Sequence, residues 1–310
     1  MKRIKLVVAY DGTNYCGFQF QKNGPTIEAE LNRALSELTG EEIHVTGASR
    51  TDAGVHALGN IAVFNTESRI PAEKFSYALN SRLPEDIAVQ SSEEVAVSYH
   101  PRKCNSVKTY EYRILNRRFP DPTRRRNAAF CHWPLDVEHM RAAAAYLEGE
   151  HDFASFCSAG SQAEDTVRRL YEASVTRTGD LITVRLSGNG FLYNMVRIIA
   201  GTLMSIGQGT FLPEHMREVL NARDRRRAGV KAPAEGLTLV SIDPAGEPEL
   251  YERNTNDWID YSLDRSALRT EGRVVMAIHR CREEERARMI AHARKQAFWD
   301  GAKEFLVRNG

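Results

Sequence analysis

Asp52 is the residue around which chemistry could be built. It stands in Gly47-Ala48-Ser49-Arg50-Thr51-Asp52-Ala53-Gly54-Val55-His56-Ala57, a stretch that gathers an acid, a base and two hydroxyls around two glycines. Gly47 and Gly54 admit backbone angles closed to other residues, so the chain can turn sharply and bring peptide N–H groups close to a ligand. Asp52 would then project from a rigid turn. Asp followed closely by Gly is also ordinary turn chemistry, and on these residues alone both readings stand. A carboxylate in a closed pocket takes up a proton unless a cation sits beside it, because burial disfavours its charged form. A working Asp52 therefore requires a cationic partner from elsewhere in the chain.

The segments around this loop supply the frame. The run 4–10 is rich in β-branched and aliphatic residues and stops at Asp11-Gly12, which predicts a first strand. Thr26 can cap a helix with Ile27, Leu31, Ala34, Leu35 and Leu38 at helical spacing, and Gly40 ends it. Residues 42–48 and 59–67 read as strands flanking the Asp52 loop, a helix begins near Pro71, and 86–97 returns as a strand. Strand, helix, strand, strand, helix, strand is the ferredoxin-like order. The second half approximates it with strands at 107–115, 167–177, 181–187 and 237–242, a helix capped by Asp136, a long helix from about 189 to 206 and a short one after Pro213. The expected fold class is α/β (α+β), two ferredoxin-like lobes with a cleft between them.

Composition narrows the function. With 310 residues and 42% hydrophobic content the chain can bury a proper core. No apolar run is long enough to cross a bilayer, and the opening Met1-Lys2-Arg3-Ile4-Lys5 leads into a strand without a signal-peptide pattern, so a soluble cytoplasmic protein is expected. Cys16, Cys104, Cys131, Cys157 and Cys281 are odd in number and scattered, which argues against a disulfide framework and against a zinc site. The net charge of +1 gives no bulk attraction for nucleic acid. Cation density is local, at Arg117-Arg118, Arg124-Arg125-Arg126, Arg168-Arg169 and Arg223 with Arg225-Arg226-Arg227, where either a solvated loop or an RNA groove would use it. Gly188-Asn189-Gly190 begins like a dinucleotide fingerprint but lacks its third glycine, and there is no H-E-x-x-H and no Walker loop.

The run 49–57 resembles the catalytic loop of the tRNA pseudouridine synthases of the TruA family. The resemblance continues through Tyr10-Asp11-Gly12-Thr13-Asn14-Tyr15-Cys16-Gly17-Phe18-Gln19 and Lys108-Thr109-Tyr110-Glu111-Tyr112. Asn189-Gly190-Phe191-Leu192-Tyr193-Asn194-Met195-Val196-Arg197 and Ala232-Pro233-Ala234-Glu235-Gly236-Leu237 complete it in the family's order, over residues 3–243. It implies an isomerase that breaks the bond from the ribose C1′ to N1 of uridine, turns the base and rejoins it through C5, with no cofactor and no metal. By resemblance Asp52 is the catalytic carboxylate and Arg197 its cationic partner. The apolar company of Arg197 in Phe191, Leu192, Met195, Val196 and Ile198 also favours a paired arginine. Tyr110 matches the active-site tyrosine, stacking on the uracil and a candidate for removing the C5 proton. Strand alternation puts Tyr110 and Tyr112 on one face, the pattern of core packing as well.

Arg50 matches an arginine that supports the flipped nucleotide, and Leu237, with Leu239, is expected to line the uracil pocket. His56 is read as structural. The family's substrate is the anticodon stem-loop of tRNA, at uridines 38, 39 and 40, and its members are homodimers. The chain then divides into an N-terminal lobe, 1–105, carrying the Asp52 loop, a second lobe, 106–243, completing the cleft, and a C-terminal extension, 244–310, outside the resemblance. That extension has a strand-like run at 274–278 and an apolar stripe through Ile290, Ala293, Ala297, Phe298 and Phe305. The rival function is a non-catalytic RNA-binding protein with ferredoxin-like lobes. A pure binder has no use for a carboxylate facing phosphate, whereas Asp52, Tyr110 and Arg197 together serve an isomerase. A carboxylate-pair glycoside hydrolase lacks a second acid near Asp52.

Overall fold

In β1 (Lys2–Tyr10) Ile4, Leu6, Val8 and Tyr10 are buried at alternate positions, as a strand with one face on a core requires. The computed structural model that shows this describes residues 1–161 and 163–244. The strand expected at 274–278, the apolar stripe from Ile290 to Phe305 and Cys281 lie outside the described residues. Helix α1 (Ile27–Thr39) begins where Thr26 Oγ1 accepts the Ala29 N–H at 3.3 Å and ends at left-handed Gly40. Its buried face is Ile27, Leu31, Ala34 and Leu35. Strand β2 is only Thr46–Gly47, and β3 runs His56–Thr66.

The strand expected over 42–48 is thus mostly absent, and α1 is the reason. Ser36 Oγ accepts the Ile43 N–H at 3.0 Å and Asn32 Oδ1 accepts the Val45 N–H at 2.8 Å, so side chains of the helix take amides that a neighbouring strand would have used. The strand expected at 59–67 starts earlier, at His56, directly after the Asp52 loop. A single 3-10 turn after Pro71 leads into α2 (Phe75–Asn80), and β4 (Ile87–Val95) closes the first half.

The second half holds β5 (Ser106–Asn116), β6 (Ala129–Cys131), α3 (Val137–Ala144), β7 (Gly149–Asp152), β8 (Val167–Thr178), β9 (Leu181–Gly188), α4 (Met195–Gly207), α5 (His215–Ala222) and β10 (Leu237–Pro244). Asp136 caps α3 by accepting the His139 N–H at 3.0 Å. The three residues of β6 and four of β7 are too few to show a period in sequence. Helix α4 starts six residues later than expected. Asn194 adopts the left-handed region at φ 62°, which cannot continue a right-handed helix backwards, and 191–194 is loop.

All long strands share one mixed sheet in the order β4-β1-β3-β10-β5-β9-β8-β7, with β2 beside β3 and β6 beside β5. The order β4-β1-β3-β2 is ferredoxin-like, and β10-β5-β9-β8 repeats it with the second set of strands. Long neighbours pair antiparallel; the two halves meet where β10 runs parallel to β3, with Thr238 opposite His56 and Leu239 opposite Ala57. Short β2 pairs with β3 farther along, at Thr46–Val63 and Gly47–Ala62, and so leaves the His56 end of β3 open to β10. The seam between the halves therefore begins beside the Asp52 loop. Met1–Pro244 forms one compact unit.

Candidate active site

The Asp52 loop is held from both sides. Thr51 C=O accepts the Phe18 N–H at 3.1 Å and the Gly54 N–H donates to Tyr15 C=O at 3.3 Å, so the block around 10–19 is the loop's outer wall. Gly54 has φ 77° and needs to be glycine for that turn. Gly47 does not: its φ is unexceptional, and what it needs is space, since a Cβ there would sit 2.1 Å from the Phe18 ring. Beneath the loop lies a buried polar network centred on Asn60 of β3, which is completely enclosed. Asn60 Oδ1 accepts the Ser49 N–H at 3.3 Å, and its Nδ2 donates to Ser49 C=O at 3.0 Å and to the Tyr10 hydroxyl at 3.1 Å. That hydroxyl lies 2.7 Å from Thr51 Oγ1. One amide side chain thus holds the backbone of Ser49 in the manner of a partner strand.

Arg197 reaches the loop from the first turn of α4. Its Nη1 stands 3.4 Å from Asp52 Oδ2 and 3.3 Å from Asn194 Oδ1, and its Nε donates to Ala232 C=O at 2.8 Å. The Ala232 N–H in turn donates to the Arg197 carbonyl at 3.1 Å, and Tyr112 donates its hydroxyl to Pro233 C=O at 2.9 Å. The 232–237 block is therefore a bracket that fixes the arginine's direction. Side-chain exposures of 24% for Asp52 and 11% for Arg197 set this pair apart from a water-screened surface bridge. Burial still pushes the Asp52 carboxyl above the usual carboxylate range, and Arg197 and Lys231 pull it back only in part.

Tyr110, on β5, is buried with its edge against Phe191, ring centroids 5.0 Å apart at 75°, and its hydroxyl lies 2.7 Å from Ser49 Oγ. Burial pushes this phenol up to about 12; Ser49 draws it down and the charge of Asp52 adds to the rise. Tyr112, on the same face, is fully enclosed and serves the bracket, so alternation placed the two together but not in one role.

Asp52, Tyr110, Arg197, Arg50 and Leu237 all line one cleft of about 950 Å³. Leu239, expected there, is fully buried opposite Tyr110 across the ladder and does not form the cleft wall. His56 does not line it either; its Nδ1 lies 3.2 Å from the Gly12 nitrogen and 3.1 Å from Asp11 Oδ1. In the arginine clusters read from sequence, Arg117 pairs with Asp180, Arg124 with Asp121, Arg126 with Asp11, Arg223 with Asp152 and Arg226 with Asp224. Residues that the sequence reading passed over are Ser49, Asn60, Arg102 and Lys231. Ser49 opens the run 49–57 and Lys231 directly precedes Ala232; Asn60 and Arg102 carry no sequence signal. Lys108 lies two positions before Tyr110 on one strand face. Among the described residues no group of three or more His, Cys, Asp or Glu is placed to hold a metal ion, and no helix is long and apolar enough to cross a membrane.

A family model described as tRNA pseudouridine synthase matches residues 6–102 and 143–243, segments that carry Arg50, Asp52, Arg197 and Leu237 but not Tyr110. This chain belongs to the tRNA pseudouridine synthase family. Among its relatives in that family, tRNA pseudouridine synthase A of Brevibacillus brevis is 51% identical over 242 residues, covering 78% of this chain and 99% of the relative. The protein of the same name from Thermoanaerobacter sp. is 46% identical over 242 residues with the same coverage, and that of Moorella thermoacetica 48% over 245 residues, covering 78% of this chain and all of the relative. Among solved structures, the crystal structure of the archaeal box H/ACA sRNP Nop10-Cbf5 complex matches at a TM-score of 0.29 and 13% identity, over 65% of this chain and 44% of that one, too slight a likeness to argue from.

Proposed function

We propose that this member of the tRNA pseudouridine synthase family isomerises uridine to pseudouridine in the anticodon stem-loop of tRNA, at family positions 38, 39 and 40. The observation that carries this reading is the Asp52–Arg197 pair, 3.4 Å apart in a cleft that Tyr110 also lines. Asp52 meets the ribose at C1′ in its ionised form, and Arg197 opposes the protonation that burial favours. Tyr110 stacks on the uracil and handles the proton lost from C5, with the Ser49 hydroxyl 2.7 Å from its own. Leu237 forms part of the wall that keeps the detached base in place, and Arg50, on the rim of the same cleft, supports the nucleotide rotated out of its stem.

The lobes 1–105 and 106–243 work as one catalytic body, with 244–310 as an extension that does no chemistry. The enzyme is a cytoplasmic homodimer with RNA lying across both subunits, a reading that rests on the family. Pseudouridine-specific chemical mapping of tRNA from cells with and without the gene tests the activity and the positions together. Loss of pseudouridine at 38–40 is expected in the deletion; an unchanged map, with tRNA binding intact, would favour the RNA-binding protein instead.

A further inference from the structure

The charge balance of the cleft differs from that of the chain. Among the described residues lining it, five cationic side chains, Arg50, Arg102, Lys108, Arg197 and Lys231, face a single carboxylate, Asp52, which already has Arg197. Arg102 and Lys108 are the two whose positions the chemistry at C1′ does not explain. Arg102 Nε donates to Gly47 C=O at 2.7 Å and Lys108 Nζ donates to Ala48 C=O at 3.2 Å, two successive carbonyls at the entry to the Asp52 loop. Among the described residues no carboxylate lies within ion-pair distance of either, and Lys108 is half-buried. The acid whose charge acts on Arg102 is Glu28, whose Oε2 accepts the Phe20 N–H at 2.6 Å. The neighbouring charges are otherwise of one sign: Arg50 acts on Arg102, and Arg102 and Arg168 act on Lys108, while the Cys104 thiol opposes them. Burial, with those cations, holds the Lys108 ammonium below the usual lysine range.

Arg102 and Lys108, their charged forms disfavoured by burial and by a neighbouring arginine, and with no carboxylate in ion-pair distance among the described residues, gain most from an anion that enters between them. Each of these two spends one donor on a loop carbonyl and keeps others for a ligand. Lys108 lies two residues before Tyr110 on β5, so an anion it holds sits next to a base stacked on that tyrosine. We propose that Arg102 and Lys108 form a binding site for one phosphodiester of the RNA, the linkage flanking the uridine that enters the cleft. The site deepens the reading given above and rests on it for the identity of the RNA. It ties substrate to loop: the same side chains that hold Gly47 and Ala48 receive the backbone, so docking of the phosphate fixes the strand that carries Asp52.

The test is a coupling measurement. Anticodon stem-loops with a single neutral methylphosphonate at each linkage around the target uridine are titrated against the full-length protein and against Lys108→Gln, Arg102→Gln and Lys108→Arg. On unmodified RNA the Gln variants are expected to bind about tenfold more weakly, with the slope of log Kd against log salt reduced by about 1. At one linkage the methylphosphonate costs the wild type a similar factor and costs the Gln variants nothing further, whereas Lys108→Arg behaves as wild type. Losses that multiply at every linkage would show that both side chains act only through the loop carbonyls, and wild-type affinity in both Gln variants would show that they touch no RNA; either result overturns the site. Arg102 is exposed, so its variant keeps the test valid should Lys108→Gln be poorly folded. Pseudouridine formation by the wild type is followed in the same samples. Its absence would count against the activity and leave the coupling result standing on its own.

Discussion

At the scale of single residues, the cleft sets two ionisable groups against burial in opposite uses. In the proposed chemistry Asp52 acts in its charged form, whereas burial raises it above the usual carboxylate range. Asp52→Asn keeps the shape and removes the ionisable oxygen; we expect no detectable pseudouridine and tRNA affinity within about tenfold, about 1.4 kcal/mol, from a turnover assay beside a binding titration. The linkage has a definite sign. A raised carboxyl stabilises the fold in its protonated form, and that contribution is lost as pH rises through the folded value. The Asn variant should therefore gain in melting temperature relative to wild type between pH 3.5 and pH 7, and a constant difference across that range would remove burial as the cause. Tyr110→Phe keeps the ring and loses the hydroxyl. We expect turnover to fall roughly 10²–10⁴-fold with little change in affinity, as for an acid–base group. Wild-type release of tritium from C5-labelled tRNA by this variant would leave Tyr110 as a stacking surface alone.

At the scale of elements, the site depends on what holds the loop and what aims the arginine. Asn60, on β3, satisfies both the N–H and C=O of Ser49 and donates to Tyr10, all out of contact with water. Asn60→Ala leaves the Ser49 N–H and C=O without these partners, while the Tyr10 hydroxyl keeps Thr51 Oγ1, and each buried orphan costs about 1–3 kcal/mol. Urea unfolding should show a loss of about 3 kcal/mol or more; a loss under about 1 kcal/mol would mean the loop is held chiefly by its contacts with Tyr15 and Phe18. Arg197 is aimed by the left-handed Asn194 and by Ala232, and its planar donor set serves Asp52, Asn194 and Ala232 at once. Lysine keeps the charge without that geometry. In Arg197→Lys the pull on Asp52 weakens, its carboxyl rises further, and the acid limb of the pH–rate profile moves to higher pH with partial recovery of activity there. A profile overlying that of the wild type would exclude the pairing from catalysis.

At the scale of the whole molecule, one sheet joins the two ferredoxin-like halves through the parallel contact of β3 with β10, and the cleft lies beside that seam because the Asp52 loop, β5 and β10 meet there. The family match ends at residue 243, and the relatives of known name align along nearly their full length with 78% of this chain. The candidate catalytic groups all lie before residue 244. Deleting residues 283–310 should accordingly lower stability or solubility while leaving the single-turnover rate constant for bound tRNA nearly unchanged. A large fall in that rate at an unaltered melting temperature would place the extension in the active site.

What the sequence by itself determined is the part written in local pattern. Alternation in β1, the Thr26 and Asp136 caps and the succession of long strands and helices follow from short-range physics, and the blocks around Asp52, Tyr110 and Arg197 marked the residues that line the cleft. Their order also carried the family. The tertiary structure decided what depends on partners distant along the chain. Residues 43–45 fail to form a strand because side chains of α1 take their amides, and α4 begins late because Asn194 turns left-handed beside Ser158. Leu239 and Leu237 look alike in sequence and both are buried, yet only Leu237 reaches the cleft wall. Net charge is a sum and has no position, so a chain near neutrality gave no sign of a cleft with five cations and one carboxylate. Only folding pairs Arg117, Arg126 and Arg223 of the arginine clusters with acids distant in sequence and brings Arg102 and Lys108 to the carbonyls of the Asp52 loop.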